Sequence, residues 1–127
     1  MTSEPRHRHF DSPLSEWIEG FPHELDTDAV ALSSVIVTGR DGFGFEGEAL
    51  VGFVRQALTG ILEHGGRPVH GGGEGPHDWI LQPRYGSRPA EILEAFMAEW
   101  LAAGMPTGDQ GGLWFALPQH AWMPPPG

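Results

Sequence analysis

Residues 87–101 read SRPAEILEAFMAEWL, and this stretch sets the architecture. Ser87 and Pro89 open it, and Gly104 and Pro106 close it. Ile92, Leu93, Phe96, Met97, Trp100 and Leu101 recur at helical spacing, with Glu91, Glu94 and Glu99 turned elsewhere. An amphipathic helix of this kind needs an apolar surface to lie on. The segment after it, 113–117, alternates Leu113, Phe115 and Leu117 on one face and reads as a strand.

Working back toward the N-terminus, 78–82 and 67–70 read as two strands joined by the loop Gly71-Gly72-Gly73-Glu74-Gly75-Pro76, which predicts a hairpin. Residues 46–64 carry a second helical stripe of Leu50, Val51, Val54, Leu58, Ile61 and Leu62, stopped by Gly65. Gly52 and Gly60 cost helix stability there unless another element approaches closely. Residues 30–38, with the β-branched run Val35-Ile36-Val37 before Gly39-Arg40-Asp41-Gly42, read as the first strand, and Phe43 and Phe45 add a short extended piece. Ser12-Pro13 predicts an N-cap and a first-turn proline for a short amphipathic helix bearing Leu14, Trp17, Ile18 and Phe21, ended by Gly20 and Pro22.

From residue 30 onward the order is therefore β-α-β-β-α-β. This predicts an α+β, ferredoxin-like (split βαβ) two-layer sandwich: an antiparallel sheet with two main helices on one face, plus the short N-terminal helix. The expected organisation is a disordered tail over 1–11, a single α+β domain over 12–118 and a Pro-rich tail over 119–127.

The chain of 127 residues is 39% hydrophobic, which suits one domain with a real core. No apolar run approaches the roughly 20 residues that span a bilayer, and Arg6 and Arg8 precede no apolar stretch that would make a signal peptide. With no cysteine, thiol nucleophiles, disulfides and thiolate metal sites are excluded, and a cytoplasmic location is expected. All seven basic residues are arginine, so Schiff-base and phosphate-loop lysines are excluded as well.

The formal charge is −10. Between Asp11 and Glu48 nine carboxylates stand against Arg40 alone, a local net of −8. Such a field repels nucleic acid and anionic membrane and attracts basic surfaces. A solvated, solubilising face is the plainer account of the same residues.

Three motifs invite chemistry. The Gly-rich loop links two strands instead of feeding a helix N-terminus, and Glu74 opposes an anion, so it reads as a hairpin tip. Asp41-Gly42-Phe43-Gly44-Phe45 contains the Gly-Phe-Gly-Phe core of an RNA-recognition signature. Asp41, Glu46 and Glu48 occupy the positions that the signature gives to a basic, an aliphatic and an aromatic residue. His64, His70 and His77 fall close together in sequence. His70 and His77 with Glu74 or Asp78 form a possible two-histidine, one-carboxylate set for zinc or iron, although a mobile glycine loop positions ligands poorly. No Gly-x-Ser-x-Gly elbow and no patterned carboxylate pair is present. Trp79, Trp100 and Trp114 read as core or sheet-face residues, whereas Trp17 and Trp122 sit in peripheral elements.

The expectation is a small acidic, non-enzymatic protein that binds another protein with a basic surface, of the inhibitor, immunity or chaperone type. Its contacts are Glu16, Trp17, Glu19, Glu24, Asp26 and Asp28. No cofactor, nucleic acid or membrane partner is expected. The alternative is a small histidine- or metal-dependent enzyme using His70, His77 and Asp78 at the 70–78 hairpin. A third reading is a subunit that forms a homodimer through its sheet.

Overall fold

The computed structural model describes residues 5–71, 79–106 and 113–122. The chain is α+β. Its described helices are α1 (Leu14–Glu24), α2 (Leu32–Val37), α3 (Gly47–Glu63) and α4 (Pro89–Ala102). The strands are β1 (Val30–Ala31), β2 (Arg67–Gly71), β3 (Trp79–Leu81), β4 (Trp114–Ala116) and β5 (Ala121–Trp122). The sheet order is β1-β4-β2-β3-β5; the first four strands are mutually antiparallel, and β5 adds a short parallel edge to β3.

The expected hairpin is present, with His70 opposite Ile80 and Gly71 opposite Trp79. A ferredoxin-like arrangement is not confirmed. β4, the last of the four long-range strands, inserts between β1 and β2, and β3 lies outside them.

The largest local departure is at 30–38. Only Val30 and Ala31 are extended, and Leu32–Val37 is helical. The reason is the spacing of the buried groups. Leu32, Val35 and Ile36 lie at i, i+3 and i+4 and all enter the core, while Ser34 and Val37 face out. β-branched propensity amounts to a few tenths of a kcal/mol per residue, less than the roughly 1.5–3 kcal/mol from burying each such side chain. A π-helical turn, Thr38–Gly42, follows, and Phe43 and Phe45 stack on each other at 5.5 Å.

Helix α1 runs through Gly20 and Pro22 instead of stopping there. Ser12 does not cap it; the residue before the helix is Pro13, and the Ser12 hydroxyl accepts the Trp17 indole N–H at 2.8 Å. Pro22 is tolerated because α1 lies against α3 at this point: a Cβ on Gly60 would stand 3.3 Å from the Pro22 ring. The unexpected glycine of α3 thus permits a close helix crossing, as its cost suggested. Gly52 has no neighbour of that kind.

Phe115 alternates with Trp114 and Ala116, so the sheet has two apolar faces. On one, Val30, Leu113, Phe115 and Leu117 join a single core with buried residues from all four helices. On the other, Val69, Ala116 and Ala121 pack with Trp79, Leu81 and Trp114, and the Trp79 and Trp114 rings lie 5.0 Å apart. In α4, Ile92, Phe96, Met97 and Trp100 are buried, and the Trp100 indole donates to the Pro106 carbonyl at 3.0 Å. Leu101 departs from the expected core set and is 44% exposed. Val35 belongs to the same core, from a helix and not from the sheet.

A buried and an exposed apolar position of α4 therefore separate by experiment. Phe96→Ala, which empties a site 3% exposed, is expected to cost about 3–5 kcal/mol in chemical unfolding. Leu101→Ala is expected to stay within about 0.5 kcal/mol of the parent.

Candidate functional site

Helix α1 presents two adjacent rows of side chains. Glu16, Gly20 and Glu24 follow one another at i, i+4 and i+8, and Trp17 and Phe21 form the neighbouring row. Because Gly20 has no side chain, the first row has a gap at its centre. A groove of about 270 Å³ lies there, lined by Ser12, Glu16, Trp17, Gly20, Phe21 and Glu24. A Cβ built on Gly20 meets nothing within 4 Å, so the gap is open.

The aromatic wall is held from behind by the N-terminal segment. Met1 to Glu4 lie outside the described residues, but the remainder of the expected 1–11 tail folds back on the domain. His7 N–H bonds the Ser12 carbonyl, Arg8 N–H bonds the Gly42 carbonyl, and Leu14 N–H bonds the Pro5 carbonyl. The His7 ring is 7% exposed and stacks on Trp17 with centroids 4.7 Å apart. Phe43 meets its edge at 5.5 Å. Gly42 is required opposite it, since a Cβ there would come within 2.5 Å of His7 Nε2. His7 Nδ1 accepts the N–H groups of His9 and Phe10 at 3.1 and 3.3 Å, which fixes the neutral ring with its proton on Nε2.

Of the six expected contact residues, Glu16, Trp17 and Glu24 line the groove. Glu19 is exposed on the same helix outside it. Asp28 accepts the Ala29 N–H at 2.7 Å, and Asp26 accepts from His64 Nε2 at 2.9 Å. Ser12, Gly20 and Phe21 were missed as lining residues. The i, i+4 pairs Glu16–Gly20 and Trp17–Phe21 were the available signal for them.

Charge compensation is uneven. Asp11 pairs with Arg6 at 2.8 Å, and Arg40 donates to the Met105 carbonyl at 2.9 Å. Among the described residues no arginine or histidine forms an ion pair with Glu16, Glu19, Glu24 or Asp28. Partial desolvation, and then the nearby Asp28 charge, push the Glu24 carboxyl above its ordinary pKa. The hydrogen bond from His64 holds Asp26 below its ordinary value.

Of the alternative metal set only His70 lies among the described residues. His70 contacts the Gln82 amide across the hairpin, and His77, Asp78 and Glu74 lie outside the described residues. His64 turns away from that hairpin to Asp26. A second cleft of about 190 Å³ opens beside β2 and β3, between Pro68, Leu81 and Pro83. Its cation, Arg67, is committed to the carbonyls of Leu62 and Gly66 at 3.1 and 2.7 Å.

No family model, curated protein or solved structure matches this chain significantly. No helix among the described residues is long and apolar enough to cross a membrane.

The buried His7 gives the site a pH signature. Burial lowers its pKa first, and the His9 and Arg8 charges add to that. Unfolded, the ring takes up a proton near its ordinary value of 6.5; folded, it does so only at lower pH. The unfolded chain therefore binds more protons as pH falls below about 6.5, and stability declines in that window. Urea unfolding at pH 7.5 and 5.5 is expected to show this loss in the parent and a smaller one in His7→Gln. The Asp26 contribution is separate: it is present above that carboxyl's ordinary value near 3.8 and is lost only at lower pH.

Proposed function

We propose that this domain is a non-enzymatic protein-binding module whose α1 groove receives a basic segment of another protein. The observation that carries the reading is the open, aromatic-walled groove whose carboxylates, Glu16 and Glu24, form no ion pair among the described residues.

The placement of those charges supports it. Glu24 ends α1, and Asp26 and Asp28 follow immediately. A helix C-terminus carries a partial negative charge, so acidic groups there work against the helix. Residues that solubilise a surface serve equally well at a helix N-terminus, where they also stabilise it. Of the two groove carboxylates, Glu16 sits in the favourable first turn and Glu24 at the unfavourable end, and the latter fits an incoming cation better than a solubilising role. An arginine or lysine of the partner would meet the Trp17–Phe21 wall through its stem and Glu16 or Glu24 through its head. The wider field, −8 over 11–48, would act on the rate of encounter.

Gly20 permits a test that leaves the fold intact. Gly20→Ala removes a helix glycine without a clash and is expected to raise stability by up to about 1 kcal/mol. Gly20→Leu is expected to fill the groove and remove binding while the melting temperature is kept. Binding is read by amide and indole NMR shifts on titrating an arginine-rich peptide into the full chain. Shifts are expected at the Trp17 indole and at Gly20, absent in Gly20→Leu and weakened in Glu16→Arg and Glu24→Arg. Shifts spread over the whole surface, or unchanged in Gly20→Leu, would refute the groove.

Association with the native partner, once captured, is expected to slow as salt rises, because the exposed carboxylates are screened beyond about 8 Å at physiological ionic strength. Stopped-flow rates independent of salt would return the acidic face to a solubilising role. Trp17→Ala is expected to lower the melting temperature as well as binding, since Trp17 also anchors His7.

A further inference from the structure

The outer row of α1 has a definite interval as well as a charge. Neighbours at i and i+4 rise about 6 Å along a helix axis. Such a row is inclined by about 26° to the axis, which lengthens the interval to about 6.7 Å. Glu16 and Glu24 therefore stand about 13 Å apart, with the gap at Gly20 midway between them. An extended chain rises about 3.3 Å per residue and turns every second side chain to the same side. Its residues i, i+2 and i+4 thus share one face at intervals of about 6.6 Å. The two intervals coincide.

The middle of the row differs from its ends in what it offers. Phe21 is buried, and Trp17 has already given its indole N–H to the Ser12 hydroxyl at 2.8 Å. Between the carboxylates a guest meets apolar surface, whereas at the ends it meets Glu16 and Glu24, both exposed. We propose that the groove selects an extended segment of pattern basic-x-apolar-x-basic, an inference that rests on α1 being the binding surface. The apolar residue fills the gap at Gly20 against Trp17 and Phe21, and the flanking basic residues meet Glu16 and Glu24. A basic residue at i+3 or i+5 of the segment points away from α1. A helical partner matches the same interval with its own i, i+4 and i+8. Helices, however, pack about 8–10 Å apart through ridges of several side chains, and this row has one gap between two charges.

The test is a set of peptides with identical Gly-Ser flanks, titrated into the full chain and followed at the Trp17 indole and Gly20 amide. The matched core is Arg-Ala-Leu-Ala-Arg. Arg-Leu-Ala-Ala-Arg turns the leucine away from the gap and is expected to bind about tenfold more weakly. Arg-Ala-Leu-Arg-Ala displaces one cation and is expected to bind about threefold more weakly, as suits an exposed ion pair. A longer core with Arg, Leu and Arg four residues apart presents the helical interval and is expected to be weaker than the matched core. Glu24→Arg places a cation at a helix C-terminus, where the fold tolerates it. It is expected to weaken the matched peptide and to recover with one of Glu-Ala-Leu-Ala-Arg and Arg-Ala-Leu-Ala-Glu, which also reads the direction of the bound segment. Equal affinities across the set, or tightest binding by the helical interval, with shifts still centred on Trp17 and Gly20, overturn the pattern and leave the groove standing. Recovery with neither charge-swapped peptide overturns the pairing at Glu24. No shift at Trp17 or Gly20 with any peptide overturns the pattern and the groove together.

Discussion

The burial of one face of α3 is the constraint on which the other elements depend. Leu50, Phe53, Val54, Ala57, Leu58, Ile61 and Leu62 are all withdrawn from water along its length. Each contributes on the order of 1–3 kcal/mol, but only if other elements supply the opposite wall. Helices α1, α2 and α4 all pack on it. Phe53 extends the same contact to Phe21, Phe43 and Phe45, and through Phe43 to His7. The groove is therefore the outer surface of a stack whose innermost layer is α3, and its aromatic wall is as fixed as the core beneath it.

The acidic face stands in a different relation to the fold. Nothing in the α3 packing calls for Glu16, Glu19 or Glu24, and the helix dipole opposes the last of them. Local sequence choices that work against local structure are expected where a site requires them. The N-terminal segment belongs to this arrangement as well. Its described residues form no strand or helix, only an isolated bridge between Arg6 and Pro13, yet they place a neutral imidazole against the indole that walls the groove. Proton uptake at His7 thus acts on the tryptophan that walls the groove.

Much of the architecture was legible from periodicity. Both long helices and the three strands 67–70, 78–82 and 113–117 were found to within a residue or two, because each carries an unbroken apolar stripe or alternation between glycine and proline stops. What was not legible has physical causes. Val35-Ile36-Val37 has strand propensity, and only knowledge of which of Leu32, Val35 and Ile36 are buried assigns it to a helix. Pro22 reads as a stop until Gly60 is seen to receive it. The acidic residues of the site were visible as a charge excess, but the groove depends on the absence of a side chain at Gly20, and a missing group leaves little trace in a charge count. The histidines were grouped by sequence proximity as His64, His70 and His77. The fold instead brings His23 and His64 together, from helices that only the tertiary structure joins.

The strand order carries a consequence for how the chain is made. β1 pairs only with β4 in the sheet, Val30 opposite Phe115, so the first strand waits for nearly the last. The hairpin of β2 and β3 closes over a short loop at little entropic cost, whereas the β1–β4 pair closes across most of the domain. On a ribosome, α3 emerges with its apolar stripe complete while the strand that seals the sheet has yet to be translated. Until Leu113–Leu117 is available, β1 lacks the strand it pairs with, so that edge of the sheet is completed late.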